Sequence, residues 1–226
     1  MSKSNLAVKE ELENVAVEDV IIINQNEQEN YRPSKDKEIR VNNNLSYLIM
    51  KKIVDIIAGI LGTILLVPLI AVVWFIRICL HENDGPLFFE QIRIGKNGKQ
   101  FRMYKFRTMV MEADEKLYRY LEENPEAKKE YKKYKKLKHD PRITKLGNIL
   151  RKTSLDEFPQ FVNILKGEMS LVGPRPYLYR EKEDLGGYYY NSITKVKPGI
   201  TGYWQVNGRN DVDFEERAYM DTYYIE

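Results

Sequence analysis

Twenty-one consecutive uncharged residues, Ile56 to Ile76, constrain this chain more than any other stretch. As a helix they are long enough to span the hydrocarbon core of a bilayer, so the plain reading is a single-pass anchor. Two details argue for another path. Pro68 falls near the middle, in Leu65-Leu66-Val67-Pro68-Leu69, where it deletes one backbone hydrogen bond and crowds the preceding turn. Lys51 and Lys52 precede the segment and Arg77 follows it. Basic flanks favour the cytoplasmic side, so a crossing helix would strand one group on the wrong face. A helix broken at Pro68 and returning to its entry face satisfies both details, with Thr63 as polar help at the bend. A buried helix of a soluble core fits less well, because such helices seldom stay apolar all round for this length.

Composition shifts on either side of this segment divide the chain in three. Residues 1–45 are polar, with one short apolar patch at Val20–Ile23, and are expected to be disordered or weakly attached. No apolar core follows a basic head at the N-terminus, so no signal peptide is expected. Residues 46–82 hold the re-entrant membrane helix. Residues 83–226 form the remaining domain, rich in Tyr, Lys and Arg. A formal charge of +3 over 226 residues does not argue for a nucleic-acid partner. The single cysteine, Cys79, excludes an intramolecular disulfide and suggests a reducing compartment. Two distant histidines, His81 and His139, speak against a structural zinc site.

Within the third region, the runs Leu87–Ile94 and Gln100–Phe106 flank Lys96-Asn97-Gly98-Lys99, a hairpin signal. A charged helix is expected from Glu112 to Lys138. Its Lys-rich end reads first as a solvated face and second as a surface for anionic lipid headgroups. Helices are expected over 143–152 and 157–166, and turns at Pro198-Gly199 and Asn207-Gly208. The fold class is α+β: a compact cytoplasmic domain of helices and short strands seated on the membrane, with one proline-broken re-entrant helix.

Asp156 and Glu157, within Arg151-Lys152-Thr153-Ser154-Leu155-Asp156-Glu157-Phe158-Pro159-Gln160, carry the chemical signal. Asp156 can be a helix N-cap, and Ser154 with Glu157 matches a capping box, so helix capping alone accounts for an isolated Asp-Glu. The surroundings add a second reading. A helix N-terminus favours anions and keeps a carboxylate ionised. Arg151 lies upstream, and Arg175 is held between Pro174 and Pro176. Arginine forks suit bidentate phosphate contacts. One carboxylate could attack phosphorus while its neighbour holds Mg²⁺ together with substrate phosphate oxygens.

From Lys51 onward the chain resembles the bacterial sugar transferases, the polyprenyl-phosphate glycosyl-1-phosphate transferase (monotopic phosphoglycosyl transferase) family. The resemblance rests on Lys105-Phe106-Arg107-Thr108-Met109, Arg151–Gln160, Ser170–Pro176, Lys197–Gly202 and Val206–Asn210 in that order. It implies transfer of a sugar-1-phosphate, a hexose by the Tyr-rich stretch before Lys197 and the Asn207–Asp211 loop, from a UDP-sugar to undecaprenyl phosphate. UMP is released, at the cytoplasmic face of the bacterial membrane, as the first membrane step of capsule or exopolysaccharide assembly. Asp156 would be the nucleophile, forming an aspartyl phosphosugar. Glu157 would help bind Mg²⁺, and Lys105, Arg151, Arg175 and Arg209 would hold phosphates and substrate. The family's membrane helix is re-entrant about a proline matching Pro68, usually after Ser, where this chain has Val67. Larger members carry several spanning helices ahead of this module, so a compact form is expected here. Relatives continue past the position of Glu226 into an amphipathic surface segment. Membrane lipids are the implied surroundings, and a homo-oligomer or other glycan-assembly enzymes are compatible partners. The competing readings are a membrane-anchored interaction protein without catalysis and a phosphohydrolase using the same aspartate with water as acceptor.

Overall fold

The computed structural model describes residues 41–134, 137–207 and 212–225. The Val20–Ile23 patch and Arg209 lie outside the described residues. The architecture mixes helices with two small sheets, arranged along one long helix. That helix, α1 (Leu45–Cys79), has 35 residues and begins where the Asn44 side chain accepts the Ser46 N–H at 3.0 Å. At 1.5 Å per residue it is about 52 Å long, more than a bilayer core. By length and composition it qualifies to cross a membrane. Helical backbone runs through Pro68, so the proline does not end the helix. The Thr63 hydroxyl, expected to help at a bend, is buried without a hydrogen-bond partner.

α1 is two-faced in a way its composition hides. A stripe at Lys51, Asp55, Gly59, Gly62, Leu66, Val73 and Arg77 is turned inward at helical spacing. Ile64, Leu65, Val67, Trp74 and Phe75 are all about 60% exposed on the remaining surface. The inward stripe docks along the rest of the domain. Leu66 and Val73 pack with Phe106, Leu146 and Leu150. The two glycines let the helix approach α5 (Gln160–Leu165), because a Cβ at Gly62 would enter the Phe161 ring.

The hairpin follows the sequence closely. β1 (Phe88–Ile94) pairs antiparallel with β2 (Gln100–Phe106), from Phe88 opposite Phe106 to Ile94 opposite Gln100. Asn97 and Gly98 take φ values of 59° and 73°, the left-handed backbone that an Asn-Gly pair tolerates. The long charged helix is corrected to two, α2 (Ala113–Glu123) and α3 (Pro125–Tyr134). Pro125 drives Asn124 out of helical geometry, to φ −128° and ψ 89°. α4 (Lys145–Thr153) starts on two caps. Thr144 Oγ1 accepts the Gly147 N–H at 2.9 Å, and the Glu82 carboxylate accepts from Lys145 and Leu146 at 2.7 and 3.1 Å.

β3 (Ser170–Val172) and β4 (Gly199–Thr201) form a second, parallel pair, so Pro198-Gly199 opens a strand instead of marking a turn. α6 (Lys182–Ile193), α7 (Tyr203–Asn207) and α8 (Phe214–Ile225) complete the fold. Both ends of α1 are tied to this one body. Asp55 Oδ1 accepts from Ser170 Oγ at 2.9 Å and the Leu171 N–H at 2.8 Å, and Lys51 donates to the Val172 carbonyl at 2.8 Å. Arg77, at the other end, donates to the carbonyls of Glu82, Asp84 and Gly85.

Close helix docking sets a measurable demand. Gly62→Leu is expected to lower the thermal midpoint in detergent by the equivalent of about 1–3 kcal/mol. Gly59→Ala should cost less, because its Cβ meets the movable end of Leu165 at 2.8 Å. Equal melting of both variants and the parent would show that α1 is not seated by this stripe.

Candidate active site

Asp156 and Glu157 do not stand at a helix N-terminus. α4 stops because Ser154 enters the left-handed region at φ 58°, and a 3₁₀ turn, Leu155–Glu157, follows. α5 begins beyond Pro159. Asp156 is therefore not the N-cap, and Ser154 is the C-cap of α4 instead of half a capping box. The left-handed turn and the proline together leave room for only one tight turn between the two helices.

That turn is aligned on β2 by a side chain that the motifs did not single out. Asn163, fully buried on α5, accepts the Tyr104 N–H at 3.1 Å. It donates to the Arg102 carbonyl at 2.7 Å and to Glu168 at 2.7 Å. The clamp sets Lys105, next along β2, against the carboxylate pair. Lys105 Nζ lies 2.6 Å from Glu157 Oε1 and 4.0 Å from Asp156 Oδ2. Arg151 is fixed by its Nε–H donated to Thr108 Oγ1 at 2.9 Å, which joins two of the sequence motifs. A bidentate Arg142–Asp140 pair, with contacts of 2.7–3.1 Å, stands behind it within electrostatic range.

Asp156 is 8% exposed, and burial pushes its carboxyl pKa above the usual range. Lys105 and Arg151 oppose that push, while Glu157 adds to it. Desolvation is the largest influence, so the expectation that a helix terminus keeps this group ionised is replaced by two cations working against burial. The result is a carboxyl group more basic than a solvated one and largely shielded from water.

Arg175 is placed elsewhere. No ion pair or hydrogen bond joins it to Asp156 or Glu157 among the described residues. Its guanidinium lies 5.8 Å from the centre of the Trp204 ring, and its backbone N–H donates to Asp221 Oδ2 at 3.1 Å. Arg93, Tyr177, Arg217 and Asp221 surround it, and none of these drew attention in the sequence. Only their three-dimensional meeting marks them, since they come from β1, the loop at 173–178 and α8.

No group of three or more His, Cys, Asp or Glu side chains able to hold a metal occurs among the described residues. Two adjacent carboxylates fit Mg²⁺ in the mode that uses one or two protein oxygens plus substrate phosphate. Glu157 is the more exposed of the two, and the ion would share its carboxylate with Lys105, 2.6 Å from Oε1.

Comparison with known proteins agrees with these motifs. The bacterial sugar transferase family matches residues 46–226, and the chain belongs to that family. It is 45% identical over 193 residues to the undecaprenyl-phosphate galactose phosphotransferase of Salmonella typhimurium, covering 83% of this chain and 39% of that one. The exopolysaccharide production protein ExoY of Sinorhizobium fredii is 42% identical over 180 residues, 79% of this chain and 77% of the other. The UDP-glucose:undecaprenyl-phosphate glucose-1-phosphate transferase of Escherichia coli is 37% identical over 187 residues, 78% of this chain and 36% of that one. The chain thus spans about two fifths of the length of several relatives, and most of ExoY.

The electrostatics of the pair can be read directly. Lys105→Met removes the strongest influence lowering the Asp156 pKa, so its protonation midpoint should move to higher pH, seen in the carboxyl signal of ¹³C-labelled aspartate. In the parent, the folded state binds this proton more tightly than the unfolded chain. Stability should therefore fall as pH rises from the ordinary carboxylate value through the raised one, a slope that Asp156→Asn flattens.

Proposed function

We propose that this bacterial sugar transferase moves a hexose-1-phosphate from a UDP-sugar to undecaprenyl phosphate, at the cytoplasmic face of the membrane, in capsule or exopolysaccharide assembly. The observation that carries the reading is a buried Asp156 carboxylate between Lys105 and Arg151, in a domain bound along a lipid-suited helix. The names of the relatives support galactose or glucose as the sugar.

In this reading an Asp156 oxygen attacks the β-phosphorus of the donor. The bond from that phosphorus to the bridging oxygen breaks, its electrons leave with UMP, and an acyl phosphate joins the sugar phosphate to Asp156. An oxygen of undecaprenyl phosphate then attacks the same phosphorus and releases the carboxylate, leaving a lipid diphosphosugar. Attack by one anion on another requires cations to offset repulsion, and Lys105 and Arg151 supply them. Mg²⁺, when bound with Glu157, would neutralise charge on the donor diphosphate. Burial around Asp156 keeps water from competing with the lipid phosphate for the acyl phosphate. A phosphohydrolase would want water in that place, and would have no use for α1.

The tethering of α1 at both ends supports a same-side arrangement. Lys51 and Asp55 bind β3, and Arg77 donates to the 82–85 loop that follows the helix, whose Glu82 caps α4; these contacts favour both ends lying on the side of the domain.

Two measurements test this. Asp156→Asn should cut UMP release from UDP-glucose or UDP-galactose by on the order of a thousandfold or more while the protein stays folded. Undiminished turnover would remove Asp156 as the nucleophile. For topology, the native Cys79 and a cysteine placed at Ser46 in a Cys79→Ala background should both resist an impermeant maleimide until cells are opened. Labelling of one alone in intact cells would rule out the same-side arrangement.

A further inference from the structure

The Pro174–Tyr177 segment is held at nearly every polar group. The Pro174 carbonyl accepts from Gly199 at 2.8 Å, and the Arg175 N–H donates to Asp221 Oδ2 at 3.1 Å. The Pro176 carbonyl accepts from Arg93 at 2.9 Å, and the Tyr177 carbonyl accepts from Ile94 at 2.9 Å. The Tyr177 hydroxyl donates to Asp221 at 2.9 Å. Among the described residues no hydrogen bond or ion pair engages the Arg175 guanidinium, whose Nε is buried without a partner.

Arg217, one turn before Asp221 on α8, is in the same condition. Its Nε is buried without a partner, and among the described residues its guanidinium has one long hydrogen bond, 3.4 Å from Nη2 to the Val212 carbonyl. The two guanidinium carbons lie 5.8 Å and 4.7 Å from the centre of one ring, that of Trp204, whose Nε1 is also buried and unpaired. No carboxylate forms an ion pair with either arginine among the described residues. The nearby acid, Asp221, is fully buried and already accepts two hydrogen bonds on Oδ2, and burial raises its pKa to about 7. It is a poor counter-ion for two positive charges. Burial raises the cost of the charge on Arg217, and the neighbouring Arg175 adds to it.

We infer that Arg175 and Arg217, laid on Trp204, form a two-guanidinium seat for a phosphate group, with Arg217 as the half that no sequence motif reveals. Two planar forks beside one aromatic ring bring several N–H donors into one neighbourhood, which suits phosphate oxygens better than a single carboxylate. Asp221 holds the seat's backbone and is one buried acid set against two guanidinium groups. Arg93 lies within electrostatic range of both Arg175 and Glu157, so the seat and the carboxylate pair share a neighbourhood. The choice of phosphate rests on the transferase reading, and the source is either the donor nucleotide or the lipid acceptor.

Binding separates these cases without requiring turnover. In an Asp156→Asn background, Arg217→Gln is titrated with UMP, UDP-glucose and a short-chain polyprenyl phosphate. A tenfold or greater loss for the two nucleotides alone assigns the seat to the donor, and the same loss for the polyprenyl phosphate alone assigns it to the acceptor. Arg217→Lys, which keeps charge but not the fork, should recover part of the affinity. Ligand-free Arg217→Gln should melt no lower than its parent, because a like charge has been removed, and phosphate should raise the melting point of the parent more than that of the variant. Unchanged affinity for all three ligands, or a lower ligand-free melting point with binding intact, overturns the proposal and leaves Arg217 a structural brace. Failure of the transferase reading would instead show as undiminished turnover in the Asp156→Asn protein.

Discussion

The rest of the structure depends on the inward stripe of α1. A 35-residue helix with apolar residues on every side would ordinarily be a separate anchor. Here Gly59 and Gly62 let it press against α5, Leu66 and Val73 fill the space beside Phe106, and Asp55 completes a polar joint with β3. The carboxylate at Asp55 would be costly among apolar neighbours, and accepting from a backbone N–H and a hydroxyl offsets that cost. The opposite face, with Trp74 and Phe75 about 60% exposed, calls for an apolar surrounding that water cannot supply. One helix thereby fixes the position of the acid pair relative to that surrounding.

The active-site turn works by balance. Burial raises the pKa of Asp156, and the nearby cations pull it back down. Lys105 and Arg151 oppose burial without closing on Asp156: the 2.6 Å ion pair goes to Glu157, and Arg151 is tied to Thr108. Glu157 thus takes up the close cation contact while its neighbour stays available.

Legibility in the sequence follows the range of the interactions. The hairpin was readable because Asn97-Gly98 determines its own backbone. The meeting of Asp156 with Glu157 and Arg151 was readable because their motif is contiguous. Its setting was misread: an N-cap pattern is a local signal, and the left-handed Ser154 with Pro159 produced a 3₁₀ turn instead. The break at Asn124-Pro125 was present as a local signal, but the run of charge around it suggested one continuous helix. Asn163, Arg217 and Asp221 gave no signal, since each acquires partners from segments 44 or more residues away or from a cluster assembled by folding. Asp55, which the sequence puts at the headgroup level beside Arg77, is bonded to β3 instead. Arg175 was found by its motif, but its company on Trp204 could not have been.

The joint between α1 and β3 also bears on how such a module can be rebuilt. Lys51 and Asp55 grip residues 170–172, which lead directly into Gly173 and the Arg175 loop. The helix is therefore not an interchangeable membrane tag. A foreign anchor of equal length and hydropathy would lack the acid, the two glycines and the lysine at the required pitch. Recombination at a boundary after the helix would separate parts that are spliced into each other, and functional chimaeras should keep everything from Lys51 to the Arg175 loop as one inherited block.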